Sequence, residues 1–373
     1  MLWGRDIEVY YLRPDAVTVW RYDEVARRLS HYKAVLEGKL PAFYRVAKRV
    51  PAEYREGAGL GELLDVHRKH AKDFSKMYQE FSLQGLGGKI PEKSYLDLKI
   101  EIARKMLESC SFCEWRCSVN RLKGERGVCG LDSRVHVASA FLHMGEEAPL
   151  VPSGTIFFTG CSFKCVYCQN WDISTRVDNG VEVSPQELAD IAVKLYLRGA
   201  RNINYVGGNP DQQLHVILES LRYMDVNVPL LWNTNMYISA EALELLLDLI
   251  DIWLPDFKYG NDACARRLSG IPNYFSIVSR NHKTVCDAGR DMIIRHLVLP
   301  NHVECCTRPV LEWISKNCPR AIVNVMDQYR PEHLVARFPE RWKDIARPLN
   351  ASEIKEAYSY ADKLGLVWRE VSL

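Results

Sequence analysis

One segment of the chain reads Thr155-Ile156-Phe157-Phe158-Thr159-Gly160-Cys161-Ser162-Phe163-Lys164-Cys165-Val166-Tyr167-Cys168. Its first part is short, β-branched and aromatic, and glycines flank it, which predicts a buried parallel strand. Three cysteines follow with the spacing C-x3-C-x2-C. We therefore expect them on a loop at the carboxyl end of a strand, where α/β folds place their chemistry. Three thiolates on so short a loop can face one point, and they leave a tetrahedral metal or a four-iron cluster one ligand short.

This segment resembles the CxxxCxΦC motif of the radical S-adenosylmethionine (SAM) superfamily, with Tyr167 at the aromatic position Φ. The resemblance implies a [4Fe-4S] cluster held by Cys161, Cys165 and Cys168, whose fourth iron is chelated by the amino and carboxylate groups of SAM. A structural zinc site with a distant ligand and three core thiols are the alternatives. The predicted strand–loop context favours the cluster over both.

The composition is that of an ordinary folded protein. With 373 residues, 47% apolar and 26% charged, the chain can form two domains or one large α/β barrel with an appendage. A net charge of +2 gives no indication of a nucleic-acid or membrane partner. The most apolar long stretch, residues 242–255, is too short and too charged to span a bilayer.

Cellular location is inferred from the cysteines and the first residues. Residues 1–6 lack the features of a secretory signal, so we expect a cytoplasmic protein. Twelve cysteines in such a chain favour reduced thiols and metal ligation over disulfides.

Four segments are expected. Residues 1–109 form a helical region, 110–150 a Cys-rich metal-binding segment, 151–345 a partial barrel, and 346–373 a C-terminal helix and a covering strand at 366–369. In the first, apolar stripes predict one helix through Val25 and Leu36 and a second through Leu63 and Phe81, while Ser94 begins a third. His67 and His70, one helical turn apart, are interpreted as half-buried face residues rather than metal ligands.

A second group of four cysteines has the spacing C-x2-C-x3-C-x11-C and comprises Cys110, Cys113, Cys117 and Cys129. Four thiols can saturate one tetrahedral centre. Thiolates suit both metals, so an auxiliary iron–sulfur cluster and a structural zinc ion remain equally open. The other cysteines lack ligand spacing and are expected to be core or helix-face thiols: Cys264, Cys286, Cys305, Cys306 and Cys318.

Strands and helices alternate from Gly154 onward. Predicted strands lie at 155–159, 203–206, 229–235, 251–256, 292–299 and 321–326, with helices between them. Six βα repeats predict an α/β fold with a parallel sheet and right-handed crossovers. The repeat number suits the incomplete (β/α)6 TIM-like barrel of radical SAM enzymes.

Polar residues at the predicted strand ends resemble the SAM-binding segments of the superfamily. Gly207-Gly208-Asn209 resembles a GGE-type motif that accepts the SAM amine, with an amide in place of the carboxylate. Asn233-Thr234-Asn235 stands where glycyl-radical activating enzymes have Asp-Thr-Asn-Gly for the ribose and a cation. The resemblance implies further SAM contacts from Tyr167, from Asp256 and Lys258 in a D-x-K pattern, and from Arg295 and His296.

The group that the chain resembles most is that of the pyruvate formate-lyase activating enzyme, through Cys168-Gln169-Asn170-Trp171, Asp256-Phe257-Lys258 and the order of the elements. The resemblance covers roughly residues 105–345 and is best to relatives with an N-terminal cysteine quartet. This implies an oxidoreductase that reductively cleaves SAM and generates a 5′-deoxyadenosyl radical for hydrogen abstraction. It also implies anaerobic chemistry, a one-electron donor such as flavodoxin or ferredoxin, and a glycyl-radical enzyme as partner.

Two alternatives to an activase stay open. The first is radical SAM modification of a small molecule, lipid, peptide or RNA. The second, of another class, is a non-enzymatic zinc or iron–sulfur protein that binds a partner through its helical region.

Overall fold

The computed structural model describes residues 9, 11–87 and 89–372, so the prediction from residues 1–6 lies outside the described residues. The chain folds into an α/β structure around an eight-stranded open sheet with the strand order β3-β1-β2-β4-β5-β6-β7-β8. The strands are β1 (His136–His143), β2 (Ser153–Phe158), β3 (Val181–Glu182), β4 (Asn202–Gly207), β5 (Leu230–Trp232), β6 (Ile252–Trp253), β7 (Asp291–Leu297) and β8 (Ile322–Met326).

Six of these strands, β2 and β4 to β8, pair in parallel from neighbour to neighbour. Parallel neighbours need a crossover connection, and α-helices supply it between successive strands. This confirms the expected α/β class with an incomplete (β/α)6 TIM-like barrel. In β2 and β4, Ser153 is paired with Asn202 and Phe158 with Gly207, so both strands end at the same edge.

The sheet continues beyond the predicted strands at one edge. Strand β1 runs antiparallel to β2 and also pairs with the two-residue strand β3. Neither strand is among those predicted from the sequence, because β1 is only partly buried and its apolar residues do not form a strong pattern.

Helices fill the connections and the N-terminal region. The α-helices are Asp15–Thr18, Asp23–Arg28, Ser30–Leu36, Phe43–Ala47, Leu60–Gln84, Tyr95–Glu108, Trp171–Ser174, Pro185–Leu197, Leu214–Ser220, Ala240–Leu246, Asp262–Ser269, Tyr274–Asp287, Arg308–Asn317, His333–Arg337, Ala351–Lys363 and Arg369–Ser372. Capping boxes begin three of them, at Ser94, Ser184 and Asn350. The predicted single helix through Val25 and Leu36 is two short helices, because Leu29 leaves helical geometry.

The N-terminal helices pack directly on the barrel. One continuous apolar core runs from Val35 in these helices to Trp368 near the C-terminus. Phe43 N donates to Asp251 Oδ1 over 3.0 Å, and Lys48 Nζ donates to the Met224 carbonyl over 2.8 Å. The helical region is therefore part of the body that carries the barrel.

His67 is buried, and its ring contacts other buried side chains. Its Nε2 lies 3.1 Å from the Tyr95 hydroxyl and 2.8 Å from Lys99 Nζ. Tyr95 also donates to Asp248. His67 thus belongs to a buried hydrogen-bond network between the helices and the barrel.

Two expectations are corrected by the structure. Residues 366–369 do not form a covering strand: Val367 O accepts one hydrogen bond from Val323 N, and the helix Arg369–Ser372 follows. Cys286 and Cys318 are joined in a disulfide rather than being free thiols. They end neighbouring barrel helices, so residues 32 apart in sequence come together at a Cα–Cα distance of 5.7 Å.

Across the part of the chain that the structure describes, none of the helices combines the length and the apolarity needed to cross a bilayer.

Candidate active site

A cavity of about 360 Å³ opens at the carboxyl ends of the parallel strands. Its volume is in the range of small-molecule sites. Every SAM-site residue expected from the sequence lines it except His296, and the cysteine triad lines it as well: Cys161, Cys165, Tyr167, Cys168, Gly207, Gly208, Asn209, Asn233, Thr234, Asn235, Asp256, Lys258 and Arg295.

The three triad sulfurs each have a polar neighbour. Phe163 N donates to Cys161 Sγ over 3.3 Å. The Ser269 hydroxyl lies 2.9 Å from Cys165 Sγ, and the Ser174 hydroxyl lies 3.5 Å from Cys168 Sγ. Hydroxyl and amide donors around thiolates are typical of iron–sulfur sites, where they tune the reduction potential. The sequence motif did not identify Ser174 or Ser269.

The sulfurs of Cys161, Cys165 and Cys168 do not all lie within 4.8 Å of one another, whereas among the described residues those of Cys264, Cys305 and Cys306 do.

Burial disfavours the thiolate forms of Cys161 and Cys165. Burial, and then the neighbouring thiol of Cys165, raises the pKa of Cys161. Burial and the neighbouring Cys168 raise the pKa of Cys165 to about 11. Without a positive centre these thiols stay protonated at neutral pH, whereas an iron cluster would bind them as thiolates.

Gly207 and Gly208 let the end of β4 approach the cysteine loop. Gly207 has a φ of +116°, and a Cβ on Gly208 would lie 2.0 Å from the Gly160 carbonyl oxygen. Gly208 N donates to the Phe158 carbonyl over 2.8 Å. Side chains at these positions would push β4 away from the loop, so the glycines are required by close backbone contact.

The amides of Asn209 and Asn235 connect the glycine turn to the cysteine loop. Asn209 Oδ1 accepts from Asn235 N over 3.0 Å, and Asn209 Nδ2 donates to Gln212 Oε1 over 3.1 Å. Asn235 Nδ2 donates to Ser162 Oγ over 3.1 Å. The amide at position 209 is thus used to hold the next strand end in place.

A buried carboxylate supports the same region. Asp211 Oδ1 accepts hydrogen bonds from Trp232 Nε1 over 2.9 Å and from Thr234 Oγ1 over 2.8 Å. Burial raises the pKa of Asp211. The only sequence signal for Asp211 is its position two residues after Asn209.

Asp256 and Lys258 form an ion pair at the cavity wall, with Lys258 Nζ 2.5 Å from Asp256 Oδ2. Burial opposes the charge on Lys258, but Asp256 and Cys165 outweigh burial and raise the pKa of Lys258. Lys258 therefore brings a permanent positive charge next to the cysteine loop.

Two carboxylates that the sequence analysis missed pair with Arg295. Arg295 contacts both Glu146 and Glu147, and its Nε lies 2.7 Å from Glu147 Oε1. Burial opposes the charge on Arg295, but Glu147 and Glu146 outweigh burial and raise the pKa of Arg295. Arg295 lines the cavity while held by residues from the turn after β1.

His296 lies outside the cavity, on the opposite face of β7. Its Nδ1 is 2.8 Å from the Phe257 carbonyl, and its Nε2 is 2.9 Å from Thr307 Oγ1. Burial lowers the pKa of His296 to about 4. The expected SAM contact from His296 is corrected, because alternate residues of a strand face opposite sides.

The quartet cysteines come together beside the triad loop. Burial, and then the thiols of Cys129, Cys110 and Cys117, raise the pKa of Cys113. Trp115 Nε1 donates to the Ser162 carbonyl over 3.0 Å, which joins this segment to the residue after Cys161. Of the described quartet cysteines, no three have their sulfurs within 4.8 Å of one another.

Comparisons with known proteins identify a family and two relatives of this chain. The family model of the Radical SAM superfamily matches residues 155–314. An uncharacterized protein of Methanocaldococcus jannaschii is 43% identical over 345 residues, which is 91% of this chain and 98% of the relative. A second uncharacterized protein of that organism is 26% identical over 157 residues, 37% of this chain and 46% of the relative.

Two of the solved structures that resemble this chain have TM-scores of 0.32 and 0.39. A domain of the pyruvate-formate lyase-activating enzyme from Bacteroides vulgatus is 15% identical, with a TM-score of 0.32, over 49% of this chain and 89% of that chain. Streptococcus suis SuiB bound to S-adenosylmethionine is 13% identical, with a TM-score of 0.39, over 56% of this chain and 42% of that chain.

Proposed function

The chain belongs to the radical SAM superfamily, and from this membership we propose that it cleaves SAM in the cavity at the carboxyl end of its barrel. One observation carries the proposal. The cysteine triad lines the same cavity as the glycine turn at Gly207, the Asn233–Asn235 segment and the Asp256–Lys258 pair.

Each group has a distinct role in this proposal. Cys161, Cys165 and Cys168 would hold a [4Fe-4S] cluster, and the chemistry that this cluster would supply is the one-electron reductive cleavage of SAM. The backbone at Gly207 and Gly208 receives the SAM amine, and Lys258 pairs with the SAM carboxylate. Asn233 and the neighbouring amides contact the ribose.

Arg295 has a more indirect part in SAM binding. Because Glu146 and Glu147 already neutralise its charge, it holds the turn after β1 against the cavity wall. Asp256 pairs with Lys258 and orients its ammonium group at the cavity wall.

For the quartet we propose an auxiliary iron–sulfur cluster rather than zinc. One observation favours it: the hydrogen bond from Trp115 Nε1 to the Ser162 carbonyl places this segment against the triad loop. A second cluster at this place can pass electrons from a cytoplasmic donor such as flavodoxin or ferredoxin toward the triad.

At the substrate level we propose a glycyl-radical activase. Its support is the resemblance of Cys168-Gln169-Asn170-Trp171 and Asp256-Phe257-Lys258 to the activating-enzyme group, and Gln169 and Asn170 line the cavity beside the triad. A carbon-bound hydrogen of a partner glycine would be abstracted there, in a site that needs no acid or base.

Anaerobic incubation with SAM, a reductant and a candidate glycyl-radical protein tests this function. We expect an electron paramagnetic resonance doublet from a glycyl radical, and Cys165→Ala should abolish it. Cleavage of SAM without a doublet on any partner would reject the activase and favour another substrate. Absence of both iron and SAM cleavage after reconstitution would favour the non-enzymatic alternative.

A further inference from the structure

A third group of cysteines lies outside the two groups that the sequence identified. Cys264 is on the helix Asp262–Ser269, and Cys305 and Cys306 lie in the π-helical turn Val303–Thr307. Cys264 Sγ and Cys306 Sγ each lie 3.9 Å from Cys305 Sγ. All three sulfurs are within 4.8 Å of one another, which corrects the expectation that they are unrelated thiols.

These distances match the ligands of one tetrahedral ion. A zinc ion with Zn–S bonds of about 2.3 Å places its sulfur ligands about 3.8 Å apart. An iron–sulfur cube needs a wider arrangement. The cysteines also differ in exposure, because Cys306 is 1% exposed whereas Cys305 is at the surface. An ion can therefore enter from the Cys305 side.

Asn261 and Gly260, which precede Cys264, hold the helix Asp262–Ser269 next to the π-helical turn. Asn261 Oδ1 accepts from Cys264 N over 2.8 Å, and Asn261 Nδ2 donates to the Cys305 carbonyl over 2.9 Å. Gly260 lets the π-helical turn approach, since a Cβ there would lie 2.6 Å from the Cys305 oxygen. Such π-helical turns frequently occur at functional sites.

His302 lies just before the π-helical turn, and its ring nitrogens are not within 4.8 Å of all three sulfurs. Its Nδ1 lies 2.7 Å from the Pro300 carbonyl, so this nitrogen carries the proton and Nε2 keeps its lone pair. A ring nitrogen fixed by a backbone carbonyl is typical of metal-binding histidines. Nε2 accepts from Arg267 Nη2 over 3.1 Å, and Asp344 can hold Arg267 when His302 turns to a metal.

We propose that Cys264, Cys305 and Cys306 bind one Zn²⁺ ion, and that His302 turns from Arg267 toward this ion as the fourth ligand. The structure indicates what this ion would do. The helix that carries Cys264 ends at Ser269, whose carbonyl accepts from Lys164 N over 3.0 Å and whose hydroxyl lies 2.9 Å from Cys165 Sγ. Zinc would fix this helix and, through it, the triad loop. The proposal does not depend on SAM cleavage.

Diffraction at the zinc absorption edge shows which of the three cysteine groups holds the zinc ion. Crystals of the full chain purified with Zn²⁺ should show an anomalous peak about 2.3 Å from the sulfurs of Cys264, Cys305 and Cys306. No peak there at saturating zinc would overturn the proposal. Density for a disulfide between any two of these sulfurs, in protein kept reduced, would overturn it too.

Zinc affinity measured in solution is a second test. It remains informative if one of the variants folds poorly. Competition with a chelator of known affinity should show about one zinc equivalent lost or weakened at least tenfold in Cys264→Ser and in Cys305→Ser. The double variant Cys286→Ser/Cys318→Ser is the matched control, since it removes two sulfurs of the same barrel, and it should keep the zinc. Equal zinc affinity in all of these proteins would contradict the site.

Discussion

At the scale of single residues, Lys258 is the most direct probe of SAM binding. It lines the cavity, and neighbouring negative groups keep it charged. Replacing Lys258 with Gln should weaken SAM binding by about 10- to 150-fold, because a charged hydrogen bond contributes about 1.5–3 kcal/mol. Anaerobic calorimetry measures the change.

Lys283→Gln is the matched control for this substitution. Lys283 also pairs with a carboxylate, Asp287, but the pair lies on an exposed helix face away from the cavity. Its SAM affinity should equal that of the parent protein. Unchanged affinity in Lys258→Gln would show that SAM lies elsewhere.

Ser269 is a second residue whose effect can be isolated. Its hydroxyl lies 2.9 Å from Cys165 Sγ and 2.5 Å from the Tyr259 hydroxyl. Loss of a donor to a cluster sulfur disfavours the added electron, so Ser269→Ala should make the midpoint potential of the cluster more negative. Redox titration of the reconstituted protein measures this.

The exposed helix residue Ser276 provides the control, since its hydroxyl donates only to the Asn273 carbonyl. Ser276→Ala should leave the midpoint potential unchanged. A Ser269→Ala potential equal to that of the parent protein would remove Ser269 from the site.

At the scale of elements, the contact between β4 and the cysteine loop is the critical one. A Cβ on Gly208 would overlap the Gly160 carbonyl, so Gly208→Ala should lower the thermal unfolding midpoint and loosen the cluster. Gly61→Ala has open space and a helical position, and should stabilise the protein by about 0.5–1 kcal/mol. Calorimetry compares the two. A Gly208→Ala protein as stable as its parent would contradict the predicted overlap.

Features that depend on a few neighbouring residues could be predicted from the sequence. The six parallel strands followed from β-branched runs, and the capping boxes at Ser94, Ser184 and Asn350 each need only four residues. The triad was also visible because its cysteines lie on one loop.

Contacts between side chains that are far apart in sequence could not be predicted from it. Glu147 and Arg295 pair across 148 residues, and Cys264 and Cys305 across 41. No local spacing records such contacts. The disulfide of Cys286 and Cys318 was missed for the same reason. His296 was misplaced because the sequence did not show which face of β7 meets the cavity.

At the scale of the whole molecule, buried histidines make stability dependent on pH. Burial lowers the pKa of His215 to about 3 and of His282 and His296 to about 4. In the unfolded chain these groups titrate near 6.5. Between the two pKa values the unfolded chain binds more protons, so stability is full above pH 6.5 and falls as the pH decreases toward 4.

For each buried histidine the loss between pH 7 and pH 5 should be on the order of 2 kcal/mol. Urea unfolding at both pH values measures it. His282→Gln should be less stable than the parent at pH 7, yet lose less stability on acidification. If the parent were equally stable at pH 7 and pH 5, or the variant lost as much as the parent, this account of the core would be wrong.

The central claim is that the cavity holds a cluster that cleaves SAM, and one anaerobic assay tests it most directly. Reconstituted protein is mixed with SAM and dithionite, and 5′-deoxyadenosine is quantified beside the iron content. We predict about eight irons in the parent protein, about four at the triad and about four at the quartet, and steady 5′-deoxyadenosine formation. Cys161→Ala, Cys165→Ala and Cys168→Ala should each abolish that formation. SAM cleavage that persists in all three variants would contradict the account.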